Sequence, residues 1–354
     1  MNLNLKRNVF VVVLACLMAW SLFAQPVVEQ APPAATTVEF TDDLGRTVTL
    51  PSKVERILPS SLISQYVLFP LAADRFVGLS VRWNDSAKGI VDAKYLDLPF
   101  AGQIYGGKAT FNMEEVLNLD PQVVIDVGER KNNMTEDLDK IQAQLGIPVI
   151  HIDATTATMD QTYAKLGSLL GLEKEAKTLG DYCSETLSRI KTITDGGKVQ
   201  GIYVVGEKGI NVLAKNSYQG EAVDMILDNL AVVENPSAKG TGNEVDMEAI
   251  LGWNPPYVIF AGDAAPAYEK AKTDPLWPQV EAIKRGTYYL SPDVPAGWLA
   301  NPPSVNRFLG LLWGAKLLYP DRATYDMAEE AKRYFSLFYH ATLSDEQVQS
   351  LLSR

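Results

Sequence analysis

Short β-branched apolar runs at residues 54–58, 76–79, 123–127 and 149–152 alternate with amphipathic stretches and loops, the pattern of an α/β fold. The pattern begins again at 201–205, 257–261 and 287–290, so each half of the chain owns a sheet. Between the halves, Tyr163, Leu166, Leu169 and Leu170, then Ala176, Leu179, Cys183, Leu187 and Ile190, fall at spacings of three and four, which is the helical period. Gly171 breaks the first of these helices. The second runs from Glu173 for about five turns until Asp195-Gly196-Gly197 ends it. The predicted architecture is two α/β lobes with a ligand cleft between them, joined by one long α-helix. A stiff helical connector allows one lobe only a modest rocking against the other.

An internal repeat relates the lobes. Met113-Glu114-Glu115-Val116-Leu117 and the following residues to Gly128 match Met247-Glu248-Ala249-Ile250-Leu251 and the following residues to Gly262, at constant offset and without gaps. In each copy a short helix with an early Glu stops at an Asx-Pro turn, because Pro cannot continue a helix, and a buried strand follows that ends in Gly.

The start of the chain reads differently. Lys6 and Arg7 precede an apolar run from 9 to 23 that ends at Ala24, the layout of a secretory signal peptide over residues 1–24. Val13-Leu14-Ala15-Cys16 offers a second processing point that would leave Cys16 lipidated. Residues 25–37, rich in Pro, Ala and Thr, read as a flexible leader. The remaining chain divides into an N-terminal lobe at 38–170, the connecting helix at 171–197, and a C-terminal lobe with the terminal helices at 198–354. An exported, periplasmic location is expected.

A formal net charge of −11 and the lack of any basic run argue against nucleic acid as a partner. With the signal removed Cys183 is the one cysteine left, so no intramolecular disulfide forms, and its apolar helical setting predicts a buried, inert thiol. Only two histidines, His151 and His340, are present, so a bare metal site of the His-rich kind is not expected. His151 alternates with Ile150 and Ile152 on a strand and reads as a satisfied core residue; His340 falls in a C-terminal helix.

Three further features complete a pattern. Phe40-Thr41-Asp42-Asp43-Leu44-Gly45-Arg46 leads through Pro51 to Val54-Glu55-Arg56-Ile57-Leu58; Leu145-Gly146-Ile147-Pro148 precedes a strand; and the tail carries Asp274-Pro275-Leu276-Trp277 and Asn301-Pro302-Pro303-Ser304-Val305-Asn306-Arg307. In this order, around the repeat and the long helix, these segments resemble the helical-backbone class of periplasmic substrate-binding proteins that serve ABC importers of iron-siderophores, haem and cobalamin. The resemblance covers nearly the whole chain after the signal. It implies a monomeric carrier with no resident cofactor or metal, an ABC permease as partner with its ATPase engaged through the permease, and an acidic residue from each lobe docking on that permease. Glu114 and Glu248, equivalent under the repeat, take that role.

Ligands of α/β sheets sit beyond the carboxyl ends of the strands. That rule nominates Arg82, Trp83 and Tyr105 in the first lobe and Tyr218 and Trp298 in the second: aromatic faces for a chelate or tetrapyrrole, and a guanidinium for a carboxylate, catecholate or oxyanion. Arg307 is placed at the start of a helix beneath the cleft. The ligand ranked first is a ferric siderophore, a metal chelate, followed by haem or a corrinoid and then a molybdate-like oxyanion. A metal-dependent enzyme built on Asp126, Glu129, Asp153, Glu207 and Asp263 is the competing class, but no nucleophile elbow, phosphate-cradling glycine loop or zinc-ligand cluster accompanies these carboxylates. A surface receptor reusing the fold is the third.

Overall fold

The computed structural model describes residues 36–106 and 110–353; the expected signal peptide, Cys16 and all but the last two residues of the leader lie outside the described residues. Residues 37–354 form one compact unit. It opens with an antiparallel hairpin, β1 (Thr37–Thr41) and β2 (Thr47–Pro51). The Asp42 carboxylate builds the turn by accepting the backbone N–H groups of Leu44 and Arg46, both at 3.0 Å. Arg46 closes it by pairing with Asp42 at 2.7 Å and donating to the Val149 carbonyl at 2.6 Å. The Asp–x–Gly–Arg segment therefore pins the hairpin to the sheet behind it.

That sheet has three parallel strands in the order β3 (Ile57–Pro59), β4 (Val123–Gly128) and β5 (Val149–Asp153). The run at 76–79 contributes single bridges, Ile57 to Phe76 and Leu79 to Phe100, rather than a full strand. The second sheet runs β11 (Tyr288–Leu290), β10 (Val258–Phe260), β6 (Val199–Val205), β7 (Asn211–Val212) and β9 (Asn243–Glu244), with β8 (Leu227–Asn229) also paired to β6. Buried β-branched residues fill the central strands of both sheets, as parallel strands covered on two faces require.

The internal repeat is a structural one. Helices α3 (Met113–Leu119) and α8 (Met247–Trp253) have the same length, begin at an Asx cap, Asn112 or Asp246, and stop at an Asx in the left-handed conformation. Asp120 has φ 47°, ψ 56° and Asn254 φ 42°, ψ 56°, a conformation that Asn and Asp tolerate better than other side-chain-bearing residues.

Helix α5 (Met159–Leu170) ends at Gly171, and α6 (Glu173–Thr194) follows for 22 residues, about 33 Å. Cys183 is fully buried in it, and burial raises its thiol well above the ordinary range. The chain then reaches α11 (Asn306–Leu318), α12 (Met327–Tyr339) and α13 (Asp345–Leu352). The terminal helices reach both halves: α11 packs against α6 and against the second-half helix Glu221–Ile226. Helix α12 packs against α1 (Leu62–Ala72) in the first half, where Phe69 meets Tyr339, while Phe338 lies against Tyr163 of α5 and Tyr182 of α6. Its stripe of aromatic residues finds apolar partners there. One continuous core runs through both halves, with a smaller cluster on the outer face of each sheet.

Two glycines test this packing. Gly310 in α11 leaves no room for a methyl group, which would stand 2.2 Å from the Trp298 carbonyl oxygen, whereas Gly252 in α8 faces open space. Urea unfolding should show Gly252→Ala stabilising by about 0.5–1 kcal/mol through helix propensity, and Gly310→Ala destabilising by about 1–3 kcal/mol through overpacking despite the same gain.

Candidate functional site

A cleft of about 340 Å³ opens between the two sheets. Its first wall is built from Leu62 and Tyr66 on α1 and from Val81, Arg82 and Asn84. Its second wall comes from Ala261, Gly262 and Asp263, just past β10, and from residues 293–302. The strand ends position both walls, and small side chains, Ala261, Gly262, Ala296, Gly297 and Ala300, keep the space open. Gln65 holds the first wall in place. Its side-chain oxygen accepts the backbone N–H groups of Ser80 at 3.0 Å and Val81 at 3.1 Å, which fixes the segment that carries Arg82. Arg82 lies over the Phe100 ring at 5.2 Å. Asn84 spans the walls by donating to the Pro295 carbonyl at 3.0 Å.

Of the five residues nominated as ligand contacts, the structure brings Arg82 to the cleft and places the other four elsewhere. Trp298 is 1% exposed and donates its indole N–H to the Val294 carbonyl at 2.9 Å, so its bulk supports the second wall from behind. Trp83 turns inward to Tyr66, Phe69 and Tyr339. The Tyr105 hydroxyl is sealed in the first half without a hydrogen-bond partner among the described residues, and burial pushes its pKa up. Tyr218 donates to the Ala154 carbonyl at 3.0 Å, making a contact between the halves. Aromatic type and position after a strand nominated all four; packing claimed them, because a large ring near a strand end finds apolar neighbours more readily than solvent. Tyr66 was missed because α1 reads as a continuously apolar helix.

Beneath the cleft lies a buried polar junction. Arg307 is 2% exposed; it donates to Thr156 Oγ1 at 3.0 Å and to the carbonyls of Tyr218 at 2.8 Å and Gln219 at 2.7 Å, and it pairs with Glu221 at 3.2 Å. Glu221 in turn accepts the backbone N–H groups of Thr156 and Ala157. Burial draws the guanidinium below its ordinary pKa, with Tyr218 and Glu221 opposing that shift.

A second network lies inside the first half. His151 is fully buried, with Nδ1 2.7 Å from Asp126 and Nε2 3.0 Å from Asp153. Asp126 accepts the Ser60 hydroxyl, and Asp153 pairs with Arg130 at 2.6 Å. Burial works against a charged ring, but Asp126 and Asp153 outweigh it and hold the His151 pKa above its ordinary value near 6.5. Among the described residues, no group of three or more His, Cys, Asp and Glu is arranged to hold a metal ion. Glu114 and Glu248 are both exposed in the first turns of α3 and α8.

The sequence profile of the periplasmic binding protein family matches residues 85–295, more than half of the chain. The chain belongs to that family. This periplasmic binding protein is 22% identical over 333 residues to the molybdate-binding protein MolA of Haemophilus influenzae, covering 85% of the chain and 91% of the relative. It is 25% identical over 190 residues to the Fe(3+)-citrate-binding protein YfmC of Bacillus subtilis, covering 52% of the chain and 58% of that relative. An ABC transporter solute binding protein from Sulfurospirillum deleyianum has the same fold, with a TM-score of 0.80 at 22% identity over 89% of this chain and 99% of that one. The family is one of solute binders, and the protein is not an enzyme.

Two outcomes are expected of the polar networks. Arg307→Met should cost about 3–5 kcal/mol by stranding Glu221 and two carbonyls, and Arg307→Met with Glu221→Gln should cost less than the two single substitutions added, as a double-mutant cycle in urea will read. The raised pKa of His151 makes its contribution to stability fully present below about 6.5 and lost as the pH rises through the folded-state value. Unfolding free energy should therefore fall on moving from mildly acid into alkaline buffer, with a shallower fall in His151→Gln; equal slopes would contradict the assignment.

Proposed function

We propose that this periplasmic binding protein is the substrate-binding component of an ABC-type importer, exported by its N-terminal segment, that captures a compact metal chelate and delivers it to a membrane permease. The observation that carries the reading is the cleft itself: it lies at the strand ends of both sheets, offers Arg82 to an anionic group, and has a volume of about 340 Å³. Small-molecule sites span about 300–1,000 Å³, and this one is at the small end. A ferric siderophore, ranked first on the sequence, and a tetrapyrrole are bulkier than the space between these walls, so the size favours a smaller chelate. The relative named for Fe(3+)-citrate binding accords with such a ligand. A molybdate-like oxyanion is the second reading, favoured by Arg82 and by the relative named for molybdate binding.

Glu114 and Glu248 are proposed as the permease contacts. Each stands in the first turn of its helix, exposed and without an ion pair among the described residues, and the repeat gives the two halves equivalent positions for them. Exposed charges of this kind govern docking and its rate more than they govern the fold.

Tryptophan fluorescence of the purified protein, titrated with ferric citrate, molybdate, ferric catecholate and hydroxamate complexes, haem and cobalamin, tests the ligand. Saturable quenching by a compact complex, weakened about tenfold or more by Arg82→Gln, is the expected result; saturation by haem or a large siderophore alone would refute the size argument. Glu114→Gln with Glu248→Gln should leave those titrations unchanged while reducing ligand uptake into cells or vesicles that carry the permease.

A further inference from the structure

The two walls of the cleft carry opposite charge. Arg82 stands on the first, together with Tyr66, which is 6% exposed, lines the cleft and has no hydrogen-bond partner for its hydroxyl among the described residues. Buried hydroxyls are normally paired, and a ligand atom is the partner this one lacks. On the second wall, Asp263 and Asp293 both line the cleft. The Asp263 carboxylate accepts the Gly206 backbone N–H at 3.1 Å. Burial raises its pKa first, and the neighbouring charge of Asp293 raises it further, the condition of a carboxylate that gains from a nearby cation.

A purely anionic ligand satisfies only the first wall. Seated against Arg82 and Tyr66 in a space of this size, it would turn its remaining negative oxygens towards Asp263 and Asp293. We propose that the ligand is amphoteric: carboxylate or other anionic oxygens face Arg82 and the Tyr66 hydroxyl, while N–H donors or another positively polarised face meet Asp263 and Asp293. Amino-carboxylate chelates of a divalent metal have this character, since their metal-bound amines donate hydrogen bonds and their carboxylate oxygens accept them. Asn84 and Asn301, also on the cleft, can serve either end. The inference rests on the reading of the cleft as the ligand site and extends it from size to polarity.

Calorimetric titration of the full chain with the bis-glycinate and bis-histidinate complexes of copper(II), and with ferric citrate and molybdate as wholly anionic probes, provides the test. An amino-carboxylate complex should bind. Arg82→Gln and Asp263→Asn should each weaken it about tenfold or more, and Tyr66→Phe should weaken it with little change in cleft volume. Asp263→Asn should leave the anionic probes unchanged or bound more tightly, which a merely structural role for Asp263 would not produce. Asp293→Asn gives a second variant that does not disturb the bond to Gly206. Unaltered binding of the amino-carboxylate complexes to both Asp variants overturns the inference. So does an unsubstituted protein that binds only the anionic probes, and that result leaves the reading of the cleft as a ligand site intact. Failure of every probe to bind the unsubstituted protein overturns the reading of the cleft, and the inference with it.

Discussion

Burying a guanidinium is costly unless nearly every donor is matched, and Arg307 is buried at the junction of the two halves with partners from both. Thr156 belongs to the segment leaving the first sheet; Tyr218, Gln219 and Glu221 belong to the second half. The charge is tolerable only while these groups converge, so the arrangement of the halves and the hydration state of Arg307 depend on one another. Glu221 strengthens the link because it also receives two backbone N–H groups, from Thr156 and Ala157. Separating the halves here would break the Arg307–Thr156 bond and the two backbone bonds to Glu221, leaving a guanidinium and a carboxylate short of partners, a cost that matters against the small net stability of a domain.

The connecting helix is therefore one of several links. Tyr218 bonds to Ala154, Asn84 bonds to Pro295, and α12 carries aromatic residues from the end of the chain back to α1 and α5. A connection made only of α6 would leave the cleft width to the bending of a helix. With the junction under the cleft and the aromatic packing behind it, the walls are held near one separation. A preorganised cleft gives up less side-chain and segmental freedom when it takes its ligand, and the Gln65 bonds that fix the Val81–Arg82 backbone act in the same direction.

Features governed by local rules were legible in the sequence. The Asx-Pro stops of the repeat are visible because left-handed Asx followed by Pro is a short-range solution to ending a helix, and Asp120 and Asn254 adopt nearly the same dihedrals. The long helix shows its period, and the burial of His151 and Cys183 follows from their apolar neighbours. Positions settled by long-range packing were less legible. Trp298 and Trp83 look like cleft residues until Phe69, Tyr339 and the Val294 carbonyl are known to lie within reach. The destination of α12 is also hidden, since an aromatic stripe records that it must be covered and not which lobe covers it. Tyr66 shows the converse: a helix whose residues are almost all buried gives no periodic sign that one ring edge meets a cavity.

The network around His151 connects this argument to the interior of the first half. Its ring joins Asp126, which receives the Ser60 hydroxyl beside the N-terminus of α1, to Asp153, which precedes the Ala154–Thr156 segment at the junction. The same α1 that Ser61 caps carries Leu62 and Tyr66 into the cleft. Each link is short and each buried polar atom has a defined partner, so a change in the charge of the ring acts on two segments that lead to the cleft wall and to the junction beneath it. Polar groups buried this way contribute little net stability beyond what their desolvation removes. Their effect is to fix direction: one register of β4 against β5, one setting for α1, and hence one placement of the wall that faces the ligand.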